Sequence, residues 1–176
     1  IEINKQGQTV LHTAYKSKIT LDLLDRPIIA KDQNGKISDF EYANYSDIKP
    51  SKTVTKDKKN QILSINTKKG DTSVQQNFND GKEYILNNNG SVISDRVMKL
   101  SDYPAGAKVP DPDVYSENMK KQIDECTSID KLNDLKYEYS MYNSQYGKTE
   151  DLFKMFSDKD VELSSAGKSV TPHQPQ

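Results

Sequence analysis

The chain has few apolar residues for its length of 176 residues. They make up 33% of the sequence, or about 38% with the eight glycines included, whereas ordinary globular chains contain roughly 45–50% on that count. A hydrophobic core can form but must be thin. Two explanations stay open: a partner or identical copies supply part of the stabilising contact, or the chain is a small, highly solvated domain with a loose tail.

Cysteine and histidine are also scarce. Cys126 is the single cysteine, which excludes an intramolecular disulfide and a multi-cysteine metal site. The two histidines, His12 and His173, have no neighbouring ligand spacing, so we predict no metal and no cofactor. No apolar run approaches the roughly 18–20 residues of a membrane-spanning helix. The chain starts at Ile1, and the sequence does not distinguish a cloned fragment from a processed product or a missing leader.

Arginine is nearly absent: two arginines, Arg26 and Arg96, stand beside 23 lysines. Arginine supplies the bidentate contacts that recognise bases and phosphates, whereas lysine is a hydrated point charge. Sequence-specific recognition of nucleic acid is therefore disfavoured. The net charge of −1 points the same way.

The first hundred residues have the pattern of a β-structure. Short alternating stretches predict strands at residues 18–24, 27–31, 37–45, 61–67, 72–78, 83–86 and 92–97. Between them lie Asn34-Gly35, Lys69-Gly70, Asp80-Gly81 and Asn89-Gly90, and Asn-Gly and Asp-Gly suit tight hairpins in which both central residues take positive φ. The spacing predicts an antiparallel meander, a small barrel or a sandwich. We find no internal repeat.

The period changes to that of a helix after Asp111. Pro112 suits the first position of a helix over residues 112–126, a second helix is expected over 129–146, and a short third helix near Thr149. The second helix carries a stripe at intervals of three or four residues: Leu132, Leu135, Tyr139, Tyr142 and Tyr146. We interpret this stripe as the packing face of a helical hairpin or as an interface with a protein partner, because tyrosine is enriched at interfaces.

The sequence therefore predicts an α+β protein in four parts. These are a β-rich domain (1–101), a proline-rich connector (102–112), a helical hairpin with a short third helix (113–163) and a flexible tail (164–176).

Catalytic patterns are not found. A Cys–His nucleophilic pair would need the fold to bring His12 to Cys126, and Cys126 at the end of a helical stripe is more simply a core residue. A Gly-x-Ser-x-Gly elbow is missing from the sequence. We predict that the protein is not an enzyme.

One segment partly resembles a calcium-binding EF-hand loop. Aligned on Gly35, it places Asp32, Asn34 and Glu41 at the third, fifth and twelfth loop positions, but Ala30 occupies the first, which normally needs Asp. The competing interpretation is a plain hairpin that turns at Asn34-Gly35, and we prefer it.

Charge is unevenly distributed. The lysine-rich segment, residues 49–69, has a balance of +6 from Lys49, Lys52, Lys56, Lys58, Lys59, Lys68 and Lys69 against one acid, and residues 111–163 have a balance of −6. Three interpretations stay open: attraction between the two regions in one molecule or between copies, a non-specific contact with phosphate backbones aided by Tyr42 and Tyr45, or lysines that protect an edge strand.

These observations rank a non-enzymatic structural or interaction protein first. It would bind protein partners or itself as an accessory component of a larger assembly. In composition and in its small β-plus-hairpin arrangement, the chain is similar in style to components of tailed-phage particles or bacterial surface assemblies, which suggests a virion or a cell surface without fixing either. A nucleic-acid-binding accessory protein is the second hypothesis, and a calcium-binding module the third.

Overall fold

The structure, a computed structural model, describes residues 1–168 and divides into two compact units, Ile1–Val109 and Pro110–Gln176. We call them the sheet unit and the helical unit. His173 lies outside the described residues.

The sheet unit is one antiparallel sheet of ten strands in which each strand pairs with the next along the chain. The strands are β1 (Glu2–Ile3), β2 (Thr9–His12), β3 (Lys18–Leu21), β4 (Pro27–Lys31), β5 (Ile37–Glu41), β6 (Lys52–Lys56), β7 (Ile62–Lys69), β8 (Thr72–Asn77), β9 (Lys82–Leu86) and β10 (Val92–Val97). The predicted meander and the α+β class are thus confirmed.

The sheet is open and has almost no core. Within residues 1–168, β1 and β10 end the strand order without pairing with each other, and no second sheet covers the first, so the barrel and sandwich alternatives are wrong. In residues 1–109, all of them described, the buried apolar side chains are Val10, Phe78 and Met98. All residues of β6 and β8 are half-buried, whichever face they lie on. If one face were covered, buried and exposed residues would alternate along each strand.

A single turn type recurs in six of the hairpins, contrary to the expectation that the chain has no repeat. The first turn residue donates its N–H to the carbonyl of the residue four positions later. Its own carbonyl accepts the N–H of the residue three positions later, and that third residue has positive φ. The first turn residues are Asn4, Thr13, Asp22, Asp32, Asp57 and Asn87. The side-chain oxygen of each accepts at least one turn N–H. Each of these loops has three residues, whereas the expected tight hairpin has two. The expectation that both Asn34 and Gly35 take positive φ is therefore wrong, since only Gly35 does.

The repeat was missed because its positive-φ position is often not glycine. Lys16, Asp25 and Asn60 occupy it in three of the six turns. The strands β1, β2 and β6 were missed because they are short or poor in apolar residues: β1 has two residues, β2 has four, and Val54 is the single apolar residue of β6.

The predicted connector is partly tied to the sheet. A short 3-10 helix, Leu100–Asp102, follows β10. Later in the connector, Gly106 and Lys108 exchange backbone hydrogen bonds with Ile62, the first residue of β7. Phe78 and Tyr103 contact each other with ring centroids 5.4 Å apart. The proline-rich segment therefore extends the sheet unit before the helices begin.

The helical unit contains α1 (Pro112–Asp124), α2 (Ile129–Tyr146) and α3 (Phe153–Lys168). Pro112 stands at the first position of α1, and the Ser128 side chain caps α2 by accepting the N–H of Lys131. The third helix has 16 residues and is not short, so residues 164–168 of the predicted flexible tail are helical. The remainder of that tail lies outside the described residues.

This unit holds most of the core of the described chain. Its buried apolar side chains are Tyr115, Met119, Ile123, Cys126, Leu132, Tyr139, Tyr142, Leu152 and Phe156. Among residues 1–168, no helix is long and apolar enough to cross a membrane.

Candidate binding surfaces

The tyrosine stripe of α2 is mostly core. Leu132 is fully buried, and Tyr142 and Tyr139 are 1% and 8% exposed. The hydroxyl of Tyr142 donates to the carbonyl of Pro110, and that of Tyr139 to the carbonyl of Glu150. The predicted partner interface is therefore reduced to the half-buried Leu135 and to Tyr146, which is 46% exposed.

The packing explains this outcome. The Tyr142 ring stacks on Tyr115 of α1, with centroids 3.7 Å apart and planes 8° apart, while Tyr139 meets Phe156 of α3 at 5.5 Å. The stripe thus faces two helices of its own unit. The hydrophobic period located this face correctly, but the choice between core and interface depended on the packing of α1 and α3 against it.

The lysine-rich segment does not form one basic arm. Lys58 and Lys59 lie in the β6–β7 turn, whereas Lys68 and Lys69 lie at the opposite end of β7, about 25 Å away at 3.3 Å per residue. Lys52 and Lys56 lie on β6, with Lys56 3.7 Å from Asp39 of β5, and Lys49 precedes that strand.

The lysines are also divided between the two faces of the sheet. The β6–β7 register pairs Lys52 with Thr67, which places Lys52 and Lys69 on one face and Lys68 on the other. A phosphate backbone could therefore contact only part of this set at once.

The two tyrosines nearest the segment differ in availability. The guanidinium of Arg26 lies 4.1 Å from the ring centroid of Tyr42, and the Tyr42 hydroxyl donates to Pro27. One face of that ring is thus occupied by a cation–π contact. Tyr45 is 88% exposed, so it is the one of the two with both faces open to a stacking base.

The partial EF-hand resemblance folds as a hairpin. Asp32 uses its side-chain oxygen to accept the N–H groups of Asn34 and Lys36 within the turn. Glu41 lies at the far end of β5, so the three predicted oxygen ligands do not share a loop. The hairpin interpretation is confirmed. Within the described part of the chain, no three His, Cys, Asp or Glu side chains are grouped to hold a metal ion.

His12 and Cys126 belong to different units and have different partners. His12 Nε2 lies 2.8 Å from a Glu2 carboxylate oxygen, and this hydrogen bond lowers the pKa of Glu2 below its usual value. Cys126 is buried, and its Sγ donates to the carbonyl of Ser128 at 3.3 Å. Each contact has a structural explanation, and the absence of enzymatic activity stays a prediction.

One face of the central strands is rich in hydroxyl and amide side chains, although Phe40 and Lys68 lie on it too, and the sequence analysis did not single out this feature. We call it the polar face; its residues are Ser38, Thr53, Thr55, Ser64, Asn66, Ser73, Gln75 and Asn77. Asn66 donates to Gln75 at 2.8 Å, and Gln75 donates to Asn77 at 2.9 Å. The other face carries the aliphatic side chains of these strands, such as Val54 and Ile65. The signal was present as the alternation of β6, β7 and β8.

A polar cleft of about 230 Å³ lies at one end of the polar face. It is lined by Lys49, Pro50, Asn66, Lys68, Gly70, Asp71, Thr72, Ser73, Asn87 and Asn88. The ends of β7 and β8 form its floor, with the segment before β6 on one side and the β9–β10 turn on the other.

A second concavity, of about 390 Å³, lies between α2 and α3. It is lined by Lys136, Tyr139, Ser140, Phe153, Phe156, Ser157 and Asp160. Lys136 and Asp160 form an ion pair across it at 3.1 Å, and Phe153 is 74% exposed at its rim.

Comparison with known proteins gives no relative for this arrangement. No family model matches the chain, and neither a curated protein nor a solved structure matches it.

Proposed function

We propose that this protein is a non-enzymatic interaction protein, an accessory component of a larger assembly that binds protein partners or itself through the sheet unit. The observation that carries the proposal is the open ten-stranded sheet, whose central strands β6 and β8 are half-buried on both faces and whose last strand β10 is mostly exposed. A sheet of this kind offers far more surface than its few buried side chains need for folding.

The β10 edge supports the same proposal. Val92 and Ile93 on this strand are 57% and 59% exposed. Within the described residues β10 pairs on one side only, with β9, so its outward backbone groups can accept another strand. Strand addition at this edge is the contact that we propose for self-association.

The kind of assembly rests on sequence character alone. Lysine, asparagine, isoleucine and tyrosine are abundant and tryptophan is missing, and a small β-rich unit is followed by helices. This combination supports a component of a tailed-phage particle or of a bacterial surface assembly.

Sedimentation velocity over a wide range of protein concentration tests the proposal. We expect concentration-dependent association that Ile93→Lys weakens, because an edge lysine opposes strand addition. Val161→Lys is the matched control: Val161 is 66% exposed on α3, outside the sheet. It adds the same charge and should leave association unchanged.

Two outcomes contradict the proposal. One is a compact monomer at every concentration with no partner recovered. The other is association that Ile93→Lys and Val161→Lys weaken equally, since that would indicate a general charge effect and no contact at the edge.

The nucleic-acid hypothesis is not favoured by the placement of its residues. The lysines are divided between two ends and two faces of the sheet, and Tyr42 is engaged by Arg26. Binding through several phosphate contacts would weaken steeply with salt. A titration at low salt that shows no binding removes this hypothesis.

A further inference from the structure

We propose that the polar cleft binds a hexose-sized, polyhydroxylated molecule that carries one anionic group, either a phosphate or a carboxylate. The inference does not depend on the assembly proposed above, because it concerns a small ligand and a different part of the sheet.

The volume and the lining suit a small polar ligand. The cleft is an open depression of about 230 Å³, enough for one sugar ring, and Pro50 is the single lining residue with an apolar side chain. Since no aromatic residue lines it, the described cleft has no platform for a stacked base. The expected contacts are therefore hydrogen bonds and ion pairs.

The lysines of the cleft supply the anion selectivity. Lys49 and Lys68 both line it, and among the described residues neither has a carboxylate within 4 Å. Their ammonium groups are thus available to an oxyanion. Asp71 is the one acidic residue in the lining, which leaves the cleft with a net positive charge.

The lining residues other than the lysines supply matching groups for hydroxyls. The Asn87 side-chain oxygen already accepts two turn N–H groups, so the remaining capacity of this amide is to donate. Asp71 can only accept, and hydroxyls such as that of Ser73 do both. The hydroxyls of a sugar are closely spaced and can each donate and accept, so they can pair with both the donors and the acceptors of this lining.

The floor is held in place before any ligand arrives. Asn66 in the lining donates to Gln75 outside the cleft, and Gln75 donates to Asn77, so the amide plane of Asn66 is fixed from behind. Thr72 donates its hydroxyl to the carbonyl of Lys69 at 3.1 Å, which ties the hairpin end beside the cleft. A preorganised floor lowers the entropy cost of binding.

Titration of the full chain, followed by backbone amide shifts in NMR, tests the inference. The probes are glucose 6-phosphate, glucuronate, glucose and inorganic phosphate. We expect saturable shifts at residues of the cleft with at least one of the two anionic sugars, and binding about tenfold tighter than that of glucose and of inorganic phosphate, since each lacks half of the contacts. Which anionic sugar binds identifies the anionic group.

Two variants provide the control. Lys68→Gln should weaken binding of the anionic sugar about fivefold or more. Lys59→Gln removes the same charge in the β6–β7 turn, at the opposite end of β7 from the cleft, and should leave affinity unchanged. Both positions are exposed, and the spectrum of each variant reports whether the fold is kept.

The inference is overturned if none of the probes shifts the cleft residues. It is also overturned if glucose or inorganic phosphate binds as tightly as both anionic sugars, or if the two variants weaken binding equally.

Discussion

Tyr142 shows why a stripe rich in tyrosine can be a core. Its ring is 1% exposed and stacks on Tyr115, while its hydroxyl reaches the carbonyl of Pro110 just before α1. Tyr139 does the same with the carbonyl of Glu150 before α3. Each tyrosine therefore fills apolar space and satisfies its polar end on the backbone, so the low hydropathy of α2 does not prevent burial.

The buried hydroxyl of Tyr142 makes stability depend on alkaline pH. Burial, together with the charge of Asp111 and the nearby Tyr146, raises the pKa of Tyr142 to about 12 from its ordinary value near 10. Between pH 10 and 12 the unfolded chain loses this proton while the folded chain keeps it. The free energy of unfolding therefore falls as pH rises, by about 2–3 kcal/mol from this residue.

Denaturant titrations of the parent and of Tyr142→Phe at pH 8 and across pH 10–12 check this prediction. At pH 8 the free energy of unfolding of Tyr142→Phe should be about 1 kcal/mol lower than that of the parent, because the hydrogen bond to Pro110 is lost. Between pH 10 and 12 it should fall less steeply with pH than that of the parent. Tyr84→Phe is a second test in the sheet unit: burial and a hydrogen bond to Asp80 raise the pKa of Tyr84 to about 12, so this variant should flatten the pH dependence of the sheet unit in the same way. Equal slopes for the parent and Tyr142→Phe would contradict the assignment.

At the scale of elements, the recurring turn organises the sheet unit. In each copy an Asn, Asp or Thr side chain binds the turn backbone, and the third residue after it takes positive φ. Such local bonding stabilises a hairpin without long-range contacts. This matters in a sheet that buries three apolar side chains, because local geometry must replace much of the core.

Two glycines of these turns have similar positive φ but different surroundings, so their alanine variants distinguish the cost of backbone strain from the cost of a steric clash. Gly35 and Gly90 have φ of +83° and +78°, but a Cβ on Gly35 would lie 3.0 Å from the Cβ of Lys58, whereas nothing lies within 4 Å of one on Gly90. We expect Gly90→Ala to lower the free energy of unfolding by about 1–2 kcal/mol and Gly35→Ala by more.

Chemical denaturation of both variants, followed by a signal from the sheet unit, measures the difference. Equal losses would show that the Lys58 backbone moves aside without cost. A larger loss for Gly90→Ala would contradict the contact at Gly35.

At the scale of the molecule, the two units are stabilised in different ways. Residues 110–176 carry a net charge of −5 and most of the buried apolar side chains, whereas residues 1–109 carry +4 and few of them. The helical unit depends on side-chain packing, and the sheet unit on ladder hydrogen bonds, turns and cross-strand pairs.

We therefore expect a fragment of residues 110–176 to fold by itself. It should show a helical circular dichroism spectrum and a cooperative thermal transition, because α1, α2 and α3 supply one another's contacts. Leu132→Ala in the same fragment should lower its stability by about 2–5 kcal/mol, since Leu132 is fully buried. A helical spectrum without a cooperative transition would show that the core needs more than this fragment.

The sequence by itself determined what local physics controls. Alternation located seven strands, Asp-Gly and Asn-Gly located hairpins, and helical spacing located α1 and α2, with Pro112 marking the start of α1, because these signals act over a few residues. Tertiary structure decided the rest. Whether the sheet stayed open, whether the α2 stripe faced a partner or its own neighbours, and which lysines shared a face depended on strand register and helix contacts between residues far apart in the chain. The polar cleft has the same origin, since Lys49, Lys68 and Asn87 meet only when four strands pair in order.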